Sequence, residues 1–305
     1  MENTLQQLIH QFNNISQVSF SQNENKIIFL QIHNQFAKAT ISLYGAQVLS
    51  FTPHGQQDVL WMSKNTAVEN GKAIRGGIPL CFPWFGPHAT DNTKAQHGFA
   101  RLINWQIFSI KQLQNQQTNV QLKLQSNPTT LAIWPYQFEA LLNITVGTSL
   151  QVSLKTINKS NKAFTYSNAL HSYFLISNIQ KIAIKGLEEC MYYNGFEKQH
   201  QTQTQPILKF TEIEVNRRYI HHIKTSTIID SHLNREIKIE KSGSKVTVVW
   251  NPGSNVAATI KDIPPNNHTN FVCVEPANAY NEVDLITLLP NQSHTISTNI
   301  GLQSS

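Results

Sequence analysis

The chain has 305 residues, 40% hydrophobic and 14% charged, with a formal charge of +6 and a sequence pI near 9.1. This excludes a disordered chain and leaves ample material for a large core. Lysine and arginine are scattered, and Arg217-Arg218 is the only adjacent arginine pair. A nucleic-acid binder would cluster them, so the positive field is better matched to small anions.

At the N-terminus, Leu5, Leu8, Ile9 and Phe12 recur at helical spacing. They predict a short amphipathic helix within residues 1–16, with a capping box of Thr4 and Gln7 or of Asn3 and Gln6. The segment lacks the basic start and apolar stretch of a signal peptide, and no apolar run approaches a membrane span. A cytoplasmic protein with no membrane partner is expected.

The period then changes to two. Val120, Leu122 and Leu124 alternate with polar residues, and so do Leu142, Ile144 and Val146. Leu150, Val152 and Leu154 follow across Gly147-Thr148-Ser149, which predicts a hairpin with one buried face. Similar runs occur at 26–32, 37–44, 179–185, 235–240, 245–250, 270–275 and 293–299, separated by turn residues such as Pro264-Pro265-Asn266-Asn267. The polar stretch 199–206 reads as a loop. Many strands, few helical patterns and no βα alternation predict an all-β fold, a large two-sheet β-sandwich with a short N-terminal helix, in one domain over 1–305.

Cys81, Cys190 and Cys273 are odd in number, widely spaced and outside any CxxC pattern. Reduced thiols are expected rather than disulfides or a zinc site. No nucleotide, dinucleotide, zinc-protease or serine-hydrolase motif is present, so neither a cofactor nor a metal is expected. His221-His222 lacks ligand spacing and reads as structural.

Two titratable residues stand inside apolar runs. His171 lies in NALHSYF and Glu275 in FVCVEPANAY. A lone histidine in such a run is more often a core residue, yet its ordinary pKa near 6.5 suits proton transfer. A carboxylate ending a Val-Cys-Val strand is costly to bury unless paired, and Pro276 is expected to mark the strand end. Arg75 precedes Gly76-Gly77, and Arg101 closes QHGFAR, with Gln96 and His97 as further hydrogen-bonding groups. Arginines of this kind can hold a phosphate or carboxylate through a bidentate fork.

As a set, these segments resemble the aldose 1-epimerase (galactose mutarotase-like) superfamily, and within it the hexose-6-phosphate branch. The resemblance runs from about Ala37 to Ser297. It rests on GAQVLSF (45–51), the block from Asp58 to Gly86, QHGFAR (96–101), SNALHSYF (167–174) and VCVEPAN (272–278), in that order. It implies a large β-sandwich. It implies His171 as general acid on the ring oxygen and Glu275 as general base on the C1 hydroxyl. Arg75, Gln96 and Arg101 match substrate-binding positions, the arginines meeting the phosphate, and His97 matches a histidine near the sugar ring.

One departure stands out. The family's Glu-Val-Asp-Arg-hydrophobic-Tyr stretch reads Glu214-Val215-Asn216-Arg217-Arg218-Tyr219 here. Asn216, at a sugar-binding position, keeps hydrogen-bonding capacity but loses charge. The implied reaction is anomer interconversion of a hexose 6-phosphate with no cofactor, by a monomer whose partner is the small sugar phosphate. Glu275 is expected to start ionised and His171 protonated, each charge helping the other, with a bell-shaped pH profile. A mutarotase of unphosphorylated aldoses and a non-catalytic sugar-phosphate binder are the alternatives.

Overall fold

The computed structural model describes residues 4–279 and 283–304. The helix forms over Leu5–Gln11, with the Thr4–Gln7 capping box in place. It is shorter than the predicted 1–16, because Phe12 is its C-cap and the turn-favouring Asn13 and Asn14 follow. The alternative cap, Asn3, lies outside the described residues.

The strands assemble into sheets of four, two, eight and nine strands. The hairpin forms as its alternation requires. Phe138–Val146 pairs with Ser149–Asn158, and Leu142 stands opposite Leu154. This hairpin lies in the nine-stranded sheet and buries Leu142, Ile144, Leu150 and Leu154 completely. They share one cluster with Val249, Val272 and Val274 of the eight-stranded sheet, so the two large sheets enclose a common core. Each fully buried aliphatic side chain contributes about 1.5–3 kcal/mol. The four- and two-stranded sheets are additions to the expected two-sheet plan.

Three segments differ from the sequence expectation. Residues 179–185 open with a 3-10 turn, Ile179–Lys181, because Asn178 caps it, and only Ala183–Lys185 is strand. The expected loop at 199–206 contains an edge strand, Gln199–Thr202, paired with Met191–Asn194. Exposed polar side chains hid its period. Pro276 does not end its strand, which runs from Phe271 through Asn278.

The eight-stranded sheet runs, in spatial order, Gln199–Thr202, Met191–Asn194, Val215–Tyr219, Val246–Asn251, Phe271–Asn278, Asn168–Leu170 and Leu80–Cys81. Tyr173–Leu175 pairs beside Asn168–Leu170 on the same Phe271–Asn278 strand. One face of this sheet enters the common core. The other carries two smaller clusters, one including Cys81, Ala169, Val246, Val248 and Ala277, the other Trp61, Tyr173, Phe271 and Cys273.

Candidate active site

The site sits where one strand is interrupted. Asn168 pairs with Asn278 and Tyr173 with Cys273, two pairings that keep a single register across the gap. The gap is a three-residue turn centred on His171, closed by the Ser172 N–H donating to Leu170 O at 2.8 Å. That register sets His171 directly opposite Glu275. His171 Nδ1 and Glu275 Oε1 are 3.3 Å apart, off hydrogen-bond alignment, with Glu275 only 1% exposed.

Strand alternation then builds three rows on this face. Arg218, Val248 and Glu275 are successive partners, leading to His171. One row along stand Asn216, Trp250, Cys273 and Tyr173. On the other side come Val246, Ala277, Ala169 and Cys81, small side chains beside the pair.

Other segments position the remaining groups. His171 N–H donates to Pro79 O and Tyr173 N–H to Gly77 O, which ties the Arg75–Pro79 segment to the histidine. Gly77 has φ +61°, and a Cβ there would meet Val48 O at 2.1 Å, so only glycine fits. Arg75 Nε donates to both carboxylate oxygens of Asp262 at 3.1 Å, and Nη1 to Tyr173 OH at 3.0 Å. The Tyr173 ring stacks on His171 at 4.8 Å. Trp250 meets His171 edge-on at 6.2 Å.

His97 lies 5.5 Å from His171, ring to ring. Its Nδ1 accepts the Gly86 N–H at 3.1 Å, so the neutral ring carries its proton on Nε2. Burial and then the charges of Arg101, Arg75 and Arg218 push its pKa down to about 3, which keeps it neutral. Arg101 Nη2 donates to Gln96 O at 2.8 Å. Arg75 has Asp262; among the described residues, Arg101 and Arg218 have no carboxylate at ion-pair distance.

The catalytic-looking pair differs electrostatically from expectation. Burial, followed by His97, Arg101 and Arg75, holds His171 well below the usual histidine range. Burial raises Glu275 well above the usual carboxylate range, with Arg218 pulling the other way. Desolvation disfavours both charges, so burial favours the neutral pair, with its proton on Glu275, over the expected ion pair. Moving that proton to His171 changes no net charge, and the two groups titrate as a unit.

The ring nitrogen, thiol and carboxylate of His171, Cys273 and Glu275 lie within 4.8 Å of one another, near enough to share a metal ion. The donor set fits poorly. Burial holds the Cys273 thiol protonated, and guanidiniums act on the same groups. A separate groove of about 1040 Å³ under the N-terminal helix, lined by Leu5, Leu8, Trp105 and Ile107, holds no comparable acid–base pair.

The aldose 1-epimerase family description matches residues 29–301. The chain belongs to the aldose 1-epimerase family. A protein of Escherichia coli K12 named "Putative glucose-6-phosphate 1-epimerase" is 33% identical over 87% of this chain and 88% of its own length. A Salmonella typhimurium protein of the same name is 34% identical, over 78% of this chain and 79% of its own. Among solved structures, a mutarotase-type protein of Salmonella typhimurium superposes with TM-score 0.85 at 28% identity, covering 97% of this chain and all of that one. A galactose mutarotase related enzyme of Lactobacillus acidophilus, at 15% identity and TM-score 0.72, shares the fold.

The chain is thus an isomerase on a mutarotase-like all-β fold. Its sequence-predicted site residues are distributed unevenly. His171, Glu275, Arg75, His97 and Arg101 act on one another electrostatically or by contact. Gln96 is exposed, and its carbonyl rather than its side chain meets Arg101. Asn216 lies one row from the pair and donates to Glu214 Oε1 at 3.4 Å, which also accepts from Trp250 Nε1. Glu214 therefore supplies a carboxylate beside the asparagine. Sequence reading missed Arg218, Tyr173 and Asp262. The alternation of strand faces holds a signal for Arg218, which is two residues from Asn216 and so shares its face.

Proposed function

We propose that the protein interconverts the α and β anomers of a hexose 6-phosphate, glucose 6-phosphate being the expected substrate. The reading is carried by one observation: a buried imidazole and carboxylate 3.3 Å apart, with guanidiniums around them that outnumber their acidic partners. Such a surplus suits a phosphate ester, which carries about −1.5 to −2 at neutral pH. The names of the Escherichia coli and Salmonella relatives point the same way.

With substrate bound and the pair's proton moved from Glu275 to His171, Glu275 takes the O1 proton. The O1–H electrons form the C1=O1 bond, the C1–O5 bond breaks toward O5, and O5 takes a proton from His171. Rotation about C1–C2 turns the aldehyde, and closure reverses both transfers. Each transfer is worth roughly 10²–10⁴-fold. The neutral His97 offers its Nε2–H to a sugar oxygen, while Arg75 and Arg101 hold the phosphate. C6 and O5 are both bonded to C5, so the phosphate lies on the acid's side. Its negative charge offsets the arginines that keep His171 neutral, which makes the imidazolium accessible once substrate is bound.

Magnetisation exchange between the anomers of glucose 6-phosphate, followed by NMR with free glucose and galactose as controls, tests the reading. Accelerated exchange with the phosphate ester alone is expected. Equal exchange of the free sugars would make this a general aldose mutarotase. No exchange with any of them, in folded protein, would refute catalysis.

A further inference from the structure

Arg218 has no role in the reading above. Its place in the sheet is definite: it pairs with Val248, which pairs with Glu275, so one short side chain separates arginine and carboxylate along a single row. Its guanidinium lies 5.8 Å over the Tyr193 ring. Its Nε is buried without a hydrogen-bond partner, and no carboxylate is at ion-pair distance among the described residues. The titratable and charged groups acting with Glu275 are His171 opposite, Tyr173 from the adjoining strand, Cys273 on its own strand, Cys81 from Leu80–Cys81, and Arg218. Among the described residues, Arg218 alone brings a fixed positive charge to the carboxylate, whereas Arg75 and Arg101 act on His171.

We propose that Arg218 is an electrostatic positioning residue for Glu275, stabilising the carboxylate and the negative charge that develops on O1, and is not a ligand of the phosphate. The proposal rests on Glu275 as the base. It follows from a division of the site into two ends. The phosphate end meets Arg75 and Arg101 beside the acid. The C1–O1 end faces the base, where, among the described residues, Arg218 is the one guanidinium acting on the carboxylate.

The test is the pH dependence of kcat for glucose 6-phosphate in Arg218→Leu and Arg218→Lys, with infrared titration of the Glu275 carboxyl in the ligand-free proteins. The band is assigned by its loss in Glu275→Gln. In Arg218→Leu, the carboxyl should titrate about 1–3 units higher, moving the alkaline limb upward. Its kcat should fall roughly 10–100-fold while KM stays within about threefold. Arg218→Lys should restore most of both. A tenfold or larger rise in KM with an unmoved carboxyl would overturn the proposal in favour of phosphate binding. Unchanged kinetics and an unmoved carboxyl would make Arg218 a bystander. If Arg218→Leu does not fold, Arg218→Gln carries the infrared comparison. Inactive wild-type protein would defeat the functional reading instead, and the infrared shift would still decide whether Arg218 governs the carboxylate.

Discussion

At the scale of single residues, the proposed mechanism has the pair His171–Glu275 share one proton. Burial spreads their titrations apart, with His171 moved down and Glu275 up. The one-proton form is therefore widened on both sides: burial resists a second proton on His171 toward acid and resists loss of the proton from Glu275 toward alkali. The kcat profile for glucose 6-phosphate should be a broad bell. His171→Asn should abolish the acid limb and Glu275→Gln the alkaline limb, each lowering kcat by about 10²–10⁴-fold with the fold intact by circular dichroism. Full activity in either variant would remove it from the mechanism. Arg101→Gln should act on binding, raising KM for glucose 6-phosphate by roughly 10–100-fold through loss of a charge-assisted contact, while leaving KM for free glucose unchanged. His171 and Glu275 were legible in the sequence because a titratable group inside an apolar run demands an explanation. Arg218 was not, because its meaning depends on a register across three strands that no local motif displays.

Elements carry these residues into place, and glycines fix the closest approaches. Gly98 follows His97, has φ +74°, and would put a Cβ 2.0 Å from Phe82 O. Gly98→Ala should cost more than about 2 kcal/mol in a urea titration, since neither the backbone conformation nor the contact can relax cheaply. An undiminished midpoint would contradict this packing. The hairpin of Phe138–Val146 and Ser149–Asn158 was legible because its alternation and turn agree. The strand through Pro276 was not, because local chemistry argues for termination there. Tertiary pairing overrides it: Thr247 stands opposite Pro276 on one side, and on the other the neighbouring strand is broken at His171. Edge strand Gln199–Thr202 escaped notice for the opposite reason, having no apolar face to announce it.

Across the whole molecule, burial of imidazoles sets the response to acid. His97, His171, His222, His268 and His294 are all shifted down, chiefly by burial. His222 is the clearest case outside the site. Its Nε2 faces Gly186 O at 2.7 Å and its Nδ1 faces Thr247 Oγ1 at 2.8 Å, and burial lowers its pKa to about 4. The unfolded chain takes up this proton near pH 6.5, the folded chain only near 4. Its contribution is therefore full above about pH 6.5 and is lost as the pH falls toward 4, on the order of 3 kcal/mol. Glu275 and Asp284, raised by burial, work in the other direction, so the measurement is a difference. The urea midpoint should fall between pH 7 and 4.5, and His222→Gln should make that fall smaller. An identical slope in the variant would show that His222 is not the group being titrated. The all-β class was legible at this scale from period alone, whereas the extra four- and two-stranded sheets were not, since strand assignment does not state which strands share a sheet.

Trp250 gives the edge-on contact with His171 a further use. Its indole lies 6.2 Å from the imidazole and is tethered through Nε1 to Glu214. A charged imidazolium quenches indole emission more strongly than a neutral ring, so the difference in fluorescence between the protein and Trp250→Phe is an optical readout of the charge on His171. Stopped-flow mixing with glucose 6-phosphate would then time the arrival of that charge as the phosphate docks, without following the sugar at all.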